Sequence, residues 1–281
     1  VDNHLTVQAG TPLQVVQEAA QAHGLLYPVD FGSRGSCSIG GNIATNAGGI
    51  RVIRYGNTRE WIAGLKVVTG AGDVLELNKA LIKNSSGYDL RHLFIGSEGT
   101  LGFVSEVTYE TIPEHPYKVT GLIPFPDPYS CARAISRLAN GGVQTTTGVT
   151  AAEYIERRAL ATVEHLPAIQ PYVQFFTETS PVILIDVTAP DAATLAAETE
   201  KATAILLAEG ATDINFSPDE ARSAALWDVR KGFFASGGAG TSTHLNGELM
   251  NQATGLDVTH VPYKGSAPAV QDLIGGQTQL L

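Results

Sequence analysis

From Pro28 to Gly49 the chain reads PVDFGSRGSCSIGGNIATNAGG, a run of glycine, alanine, serine and asparagine in which the backbone can press directly against a large ligand. Side chains this small leave peptide N–H groups free to face an anion, and glycine supplies the positive φ angles that such turns need. Two more glycine-bearing segments follow, RYGNTR at Arg54 to Arg59 and LFIGSEGTLG at Leu93 to Gly102. A lone Gly-Gly pair would mean only a tight turn. No GxGxxG pattern opens a helix in a βαβ unit, which disfavours a Rossmann reading.

The other reactive residue types give weaker signals. His4, His23, His92, His115, His165, His244 and His260 show neither HxH nor helix-face spacing, so no metal site is expected. Cys37 and Cys131 lie far apart without CxxC spacing, which indicates neither a disulfide framework nor a thiolate site and fits a reducing, cytoplasmic compartment. A net charge of −10 argues against nucleic acid or an anionic membrane as partner. No apolar run is long enough for a transmembrane helix. Val1 opens directly on a strand-like segment, so the start reads as an internal cut.

Several elements must position these residues. Thr11-Pro12-Leu13-Gln14 reads as a capping box opening a helix that carries Leu13, Val16, Ala19 and Ala20 and stops at Gly24. From Tyr27 to Thr111 the chain reads as mostly sheet broken by glycine-rich loops. Residues 64–69 and 73–77 flank a turn at Gly70-Ala71-Gly72, and Phe103 to Tyr109 alternates. Prolines clustered between Ile112 and Pro128 mark a boundary. Beyond it, helices open at Asp127-Pro128, Asp191 and Ser217-Pro218-Asp219-Glu220, with strands at Pro181 to Val187 and Ala211 to Phe216. Ala235 to Gly240 reads as a hinge, followed by a helix through Leu245 and Ala253 and strands at 258–261 and 278–281.

Together the three glycine-bearing segments resemble the FAD-binding domain of the vanillyl-alcohol-oxidase superfamily, most closely its D-2-hydroxy acid dehydrogenase branch. The resemblance implies an α+β fold: the C-terminal half of a PCMH-type FAD-binding domain over residues 1–113, then an α+β cap with an antiparallel sheet over 114–237. Ser38, Ile39, Gly40, Gly41 and Asn42, with the turn Asn46, Ala47, Gly48 and Gly49, would lie along the pyrophosphate and ring system of FAD, donating backbone N–H groups. Pro28, Gly32 and Ser33 would lie nearby, and Gly99, Gly102 and Phe103 would wall the other side. Cys37 invites a covalent flavin link, but the branch resembled binds its cofactor non-covalently. Arg230, in Leu226-Trp227-Asp228-Val229-Arg230, looks like the family's substrate-carboxylate arginine at the start of a cap helix. The alternative is a solvated helix cation paired with a nearby carboxylate.

From Gly238 the chain instead resembles the Bug-family substrate-binding receptors of tripartite tricarboxylate transporters, through Thr243-His244-Leu245, His260 to Gly265 and Asp272 to Gly276. That makes residues 238–281 a short α/β receptor-like fragment and the chain a mosaic, its flavin domain lacking an earlier half. The implied reaction is oxidation of a small D-2-hydroxy acid to the 2-oxo acid, with electrons passing to an unidentified acceptor through which the protein could meet a membrane. Impairment by truncation, a carboxylate-binding module built on the tail, and an inert chimeric product are the alternatives left open.

Overall fold

The computed structural model describes residues 3–78, 86–139, 148–161, 170 and 180–235, with isolated positions at 255, 259, 261, 272 and 275–277. The chain divides into two compact units, residues 1–155 with 179–218, and residues 156–178 with 219–281. The boundary expected near Pro113 falls inside the first unit, between its two four-stranded sheets.

The first sheet has antiparallel order β1-β5-β3-β4, built from β1 (His4–Gln8), β3 (Ile62–Thr69), β4 (Val74–Asn78) and β5 (Gly102–Glu110). Strands β3 and β4 form the hairpin expected around Gly70 to Gly72, with Val68 opposite Val74. A two-stranded ribbon pairs β2 (Leu25–Leu26) with β6 (Ile112–Pro113). Helix α1 (Leu13–Gln21) places Leu13, Val16 and Ala20 in one core with Val67, Val107 and Tyr109 of the sheet. The apolar positions recur every three to four residues, which is the spacing a buried helix face needs. Pro12 occupies the cap position without a side-chain bond, and the Gln14 amide reaches forward to Glu18 at 2.8 Å, so the expected capping box does not form.

The glycine-rich region is more helical than its composition suggests. Residues Ile39–Ala44 form α2, Val52–Tyr55 form α3, Thr58–Trp61 form a 3₁₀ turn and Arg91–Phe94 form α4. The stretch at Ser38 to Asn42, expected as a loop, is therefore the first turn of a helix. Ile39 and Ile43, one helical turn apart, are fully buried, and their burial offsets the poor helix propensity of Gly40 and Gly41.

The second sheet has antiparallel order β10-β7-β9-β8, from β7 (Tyr117–Pro124), β8 (Val149–Ile155), β9 (Val182–Ala189) and β10 (Phe216–Ser217). One face, with Ile123, Ile183, Ile185 and Val187, packs against Cys131, Ala134 and Leu138 of α5 (Pro128–Ala139) and Ala202 and Leu206 of α7 (Ala192–Ala208). On the opposite face Val182, Leu184 and Asp186 are buried too, and Thr120 lies 2.5 Å from the Asp186 carboxylate. Of the segment expected as a strand from Ala211 to Phe216, only Phe216 pairs in the sheet, and the pairing continues through Ser217. Asp127 and Asp191 cap their helices as expected, accepting from the amides of Ser130 and Thr194 at 2.9 and 2.8 Å. Glu209, just past α7, binds Arg133 and Arg137 of α5 at 2.9 and 2.7 Å.

The second unit contributes α6 (Arg157–Ala161) and α8 (Glu220–Ala235) to the described residues. Asp219 caps α8 through the amides of Ala221 and Arg222, in place of the Ser217 box expected from the sequence. The helix beyond the hinge up to its expected end at Gly255, the strand at 278–281, two of the four residues of the strand at 258–261 and nearly all of the receptor-like fragment lie outside the described residues.

Two outcomes follow from this packing. Gly49 has φ of 102° and an added Cβ would stand 2.1 Å from the Asp30 carbonyl oxygen, whereas nothing lies within 4 Å of Gly70. Gly49→Ala should cost about 3 kcal/mol or more in urea unfolding, with Gly70→Ala close to neutral. The second concerns acid. The Ser130 and Thr194 amides, and then their hydroxyls, hold the Asp127 and Asp191 carboxyls below the ordinary aspartate range. A depressed folded pKa gives stabilisation that is present above the unfolded value near 4 and lost as pH falls through the folded one. Melting temperature should therefore fall as pH drops below about 4, and less steeply in Asp127→Asn and Asp191→Asn.

Candidate functional site

Helix α2 is bonded at both ends by segments distant in sequence. At its start, the amides of Ile39 and Gly40 donate to the carbonyls of Thr11 and Ala9 at 3.0 and 2.7 Å, and the Ser38 hydroxyl accepts from Gly41 at 3.3 Å. At its end, the amides of Gly96 and Glu98 donate to the carbonyls of Ile43 and Ala44 at 2.9 and 2.8 Å. The orphan groups that every helix leaves at its termini are thus met by the protein itself.

The turn after α2 is fixed by the 3₁₀ segment. Asn46, at φ of 48°, accepts the Arg59 amide on its side-chain oxygen at 3.0 Å, and the Ala47 carbonyl accepts both the amide and the hydroxyl of Thr58, at 2.9 and 2.7 Å. The Arg59 guanidinium then donates to the carbonyls of Ile95 and His92, at 2.5 and 2.9 Å. All three glycine-bearing segments therefore meet, with Arg59 joining the second to the third.

This arrangement sorts the expected amide donors. Those of Ile39, Gly40, Gly41, Asn42, Asn46 and Ala47 are already used inside the protein. Those of Gly32, Ser33, Ser38, Gly48, Gly49 and Gly99 meet no acceptor among the described residues. Exposure follows this division in part, since Gly41 is exposed with its amide bonded and Gly48 is half-buried with its amide unbonded. Gly32, Ser33, Ser38, Gly49 and Gly99 are exposed, whereas Pro28, Ile39 and Asn42 are buried and support the surface from beneath. Leu93, Leu101 and Phe103 present apolar side chains beside the third segment, Phe103 at 70 % exposure. An unpaired N–H at an exposed glycine is what an incoming anion needs.

The glycines have a second physical cause. A Cβ on Gly40 would stand 3.1 Å from the Ala9 side chain, one on Gly48 would stand 2.8 Å from the Asn57 side-chain oxygen, and one on Gly102 would stand 2.8 Å from the Val68 carbonyl. Close approach by the protein's own atoms thus accounts for these three, while Gly99 has open space beside it. Beneath the turn, the rings of Tyr27 and Tyr109 stack with centroids 4.3 Å apart, and burial pushes both phenols well above their ordinary pKa. Cys37 packs partly buried against this core and accepts a 3.7 Å contact from the side-chain Nδ2 of Asn42; burial pushes the other thiol, Cys131, up to about 12.

Asp30, Arg34, Arg51, Asn57, Thr58 and Arg59 were not singled out in the sequence, although each lies within or beside a glycine-bearing segment. The signal was charge and amide side chains interrupting runs of small residues. Arg230 belongs to the second unit, half-buried in the C-terminal part of α8 and not at a helix start as expected. Among the described residues no cluster of three or more His, Cys, Asp or Glu could hold a metal, and no helix is long and apolar enough to cross a membrane.

Comparison with known proteins decides the family. The FAD binding domain profile matches residues 1–78, and that of the C-terminal domain of FAD linked oxidases matches residues 114–262, more than half of the chain. The chain belongs to the FAD-linked oxidases. A D-2-hydroxyglutarate dehydrogenase of Xanthomonas citri pv. viticola is 48% identical over 238 residues, 83% of this chain and 48% of that protein. A D-lactate dehydrogenase of Anaerostipes hadrus is 31% identical over 226 residues, 80% of this chain and 46% of the relative. The FAD-linked oxidase chain thus spans about half the length of these relatives. A solved alkyldihydroxyacetonephosphate synthase shares the fold, with a TM-score of 0.67 at 17% identity over 83% of this chain and 43% of that one.

FAD is the cofactor of this family. The residues present fit such a group: exposed small residues carry unbonded amides, and apolar side chains stand beside them. Removing the Arg59 fork should loosen that surface without touching it. In Arg59→Gln the Ile95 carbonyl, buried with its residue, loses its donor at a cost of about 1–3 kcal/mol. Hydrogen exchange at the Gly96 and Glu98 amides should accelerate, while the β3–β4 hairpin amides keep their protection.

Proposed function

We propose that this FAD-linked oxidase oxidises a D-2-hydroxy acid of the D-lactate, glycolate or D-2-hydroxyglutarate class to the 2-oxo acid. Electrons then leave to a quinone, a cytochrome or a partner protein, which makes that acceptor the protein's route to a membrane from the cytoplasm. The observation that carries the reading is the set of unbonded amides at Ser38, Gly48, Gly49 and Gly99, within a chain 48% identical to a D-2-hydroxyglutarate dehydrogenase. On this reading residues 1–113 hold the flavin and 114–237 form the cap. The match to FAD linked oxidases runs to residue 262, and the receptor-like character of the tail from Gly238 has no part in the reading.

Bound flavin would supply the acceptor for the hydride leaving the α-carbon. The protein's share is binding and orientation. Amides at Ser38, Gly48, Gly49 and Gly99 would meet the diphosphate charge, and Phe103 would shield one side from water. Ile39 and Asn42 keep α2 in place from the buried side. Arg230 would receive the substrate carboxylate in the two-point geometry that guanidinium favours.

The purified chain should be yellow and carry FAD, or take it up from solution, and should reduce an artificial dye with the D but not the L enantiomer of a 2-hydroxy acid. Arg230→Ala should raise the KM for the hydroxy acid and leave flavin content unchanged. A protein that neither retains nor takes up FAD contradicts the reading.

A further inference from the structure

We propose that Arg34 and Arg51, held by the buried carboxylate of Asp30, form an anion clamp that adds side-chain charge to the unbonded amides of Gly48 and Gly49 and grips the diphosphate of the dinucleotide. The inference rests on the proposed flavin function and names residues that it did not use.

Asp30 is 2% exposed, and its main chain and side chain act in different directions. Its carbonyl accepts the Ile50 amide at 2.8 Å and stands where a Gly49 Cβ would fall, which pins the turn. Its carboxylate faces Arg34 at 3.6 Å and Arg51 at 4.0 Å. Those are ion-pair separations, too long for hydrogen bonds. Neither guanidinium donates a hydrogen bond among the described residues, and each keeps part of its surface in solvent, 41% for Arg34 and 31% for Arg51.

Two cations around one carboxylate leave a net positive charge beside the turn. In a protein of net charge −10 such a site is not a general property of the surface. Arg34 comes from the Phe31 to Cys37 turn and Arg51 from the residue before α3, so the clamp draws on the two segments that meet at Gly49. A diphosphate bound by the Gly48 and Gly49 amides would offer oxygens to both forks, and guanidinium–phosphate pairing is geometrically specific. Asp30 is the positioning residue. It touches no ligand in this account and holds the two arginines that do.

The test is equilibrium binding of FAD, ADP and riboflavin to the full chain. Arg34→Gln and Arg51→Gln should each weaken FAD and ADP by about tenfold and leave riboflavin, which has no phosphate, unchanged. Lys66→Gln, a charge change on β3 away from the turn, should alter none of the three. If a glutamine variant does not fold, Arg34→Lys, Arg51→Lys and a salt titration of the native protein decide, since ADP affinity should fall as salt rises. FAD and ADP affinities unchanged in both variants, or insensitive to salt, overturn the clamp and leave the flavin function standing. A native chain that binds neither FAD nor ADP overturns both.

Discussion

The hydrogen bond from the Ile50 amide to the Asp30 carbonyl is the constraint on which the glycine-rich region depends. It draws two strands of irregular backbone so close that only a hydrogen atom fits between them at Gly49. Once Gly49 is placed, Gly48 lies against Asn57, Ala47 receives Thr58, and Asn46 receives Arg59. Arg59 then fixes the carbonyls of His92 and Ile95, from which the amides of Gly96 and Glu98 reach back to the end of α2. The loop of contacts closes on itself, so a surface made of very small residues is held by its neighbours and not by side chains of its own.

Such construction explains why unbonded amides persist at the rim. A backbone N–H buried without a partner is costly, but one exposed at a turn is satisfied by water until an anion displaces it. The interior amides of α2 are all used, and the rim amides at Ser38, Gly48, Gly49 and Gly99 are not. On the proposed reading, the contacts to the flavin in the FAD-linked oxidase chain come from main-chain positions, which a search for reactive side chains alone would overlook.

Regular elements were legible where local chemistry decided them. The α5 and α7 caps at Asp127 and Asp191 and the β3–β4 hairpin follow from short patterns that carry their own geometry. Ser38 to Ala44 misled because glycine pairs favour loops, whereas burial of Ile39 and Ile43 supplies the tertiary term that propensity lacks. Thr11 and Ser217 misled for a related reason: the spacing of a capping box was present, but Gln14 found Glu18, and Asp219 lay closer to the amides it caps. That the three glycine-bearing segments belong together was legible in the sequence, and the contacts by which they meet were not. Which amides stay unbonded depends on Ala9, Thr11 and residues 96–98 coming to α2, and none of that pairing is written in the segment itself.

In the second sheet, Ile155 at the end of β8 stands directly opposite Val182 at the start of β9. The chain leaves the ladder at one residue and rejoins it at that residue's cross-strand neighbour, so everything between them enters and exits through a single gap about 5 Å wide. Loop closure depends only weakly on length when the ends are already adjacent. A change of length between these two residues therefore leaves the register of β8 against β9, set by the pairs from Val149 to Ile155, where it is.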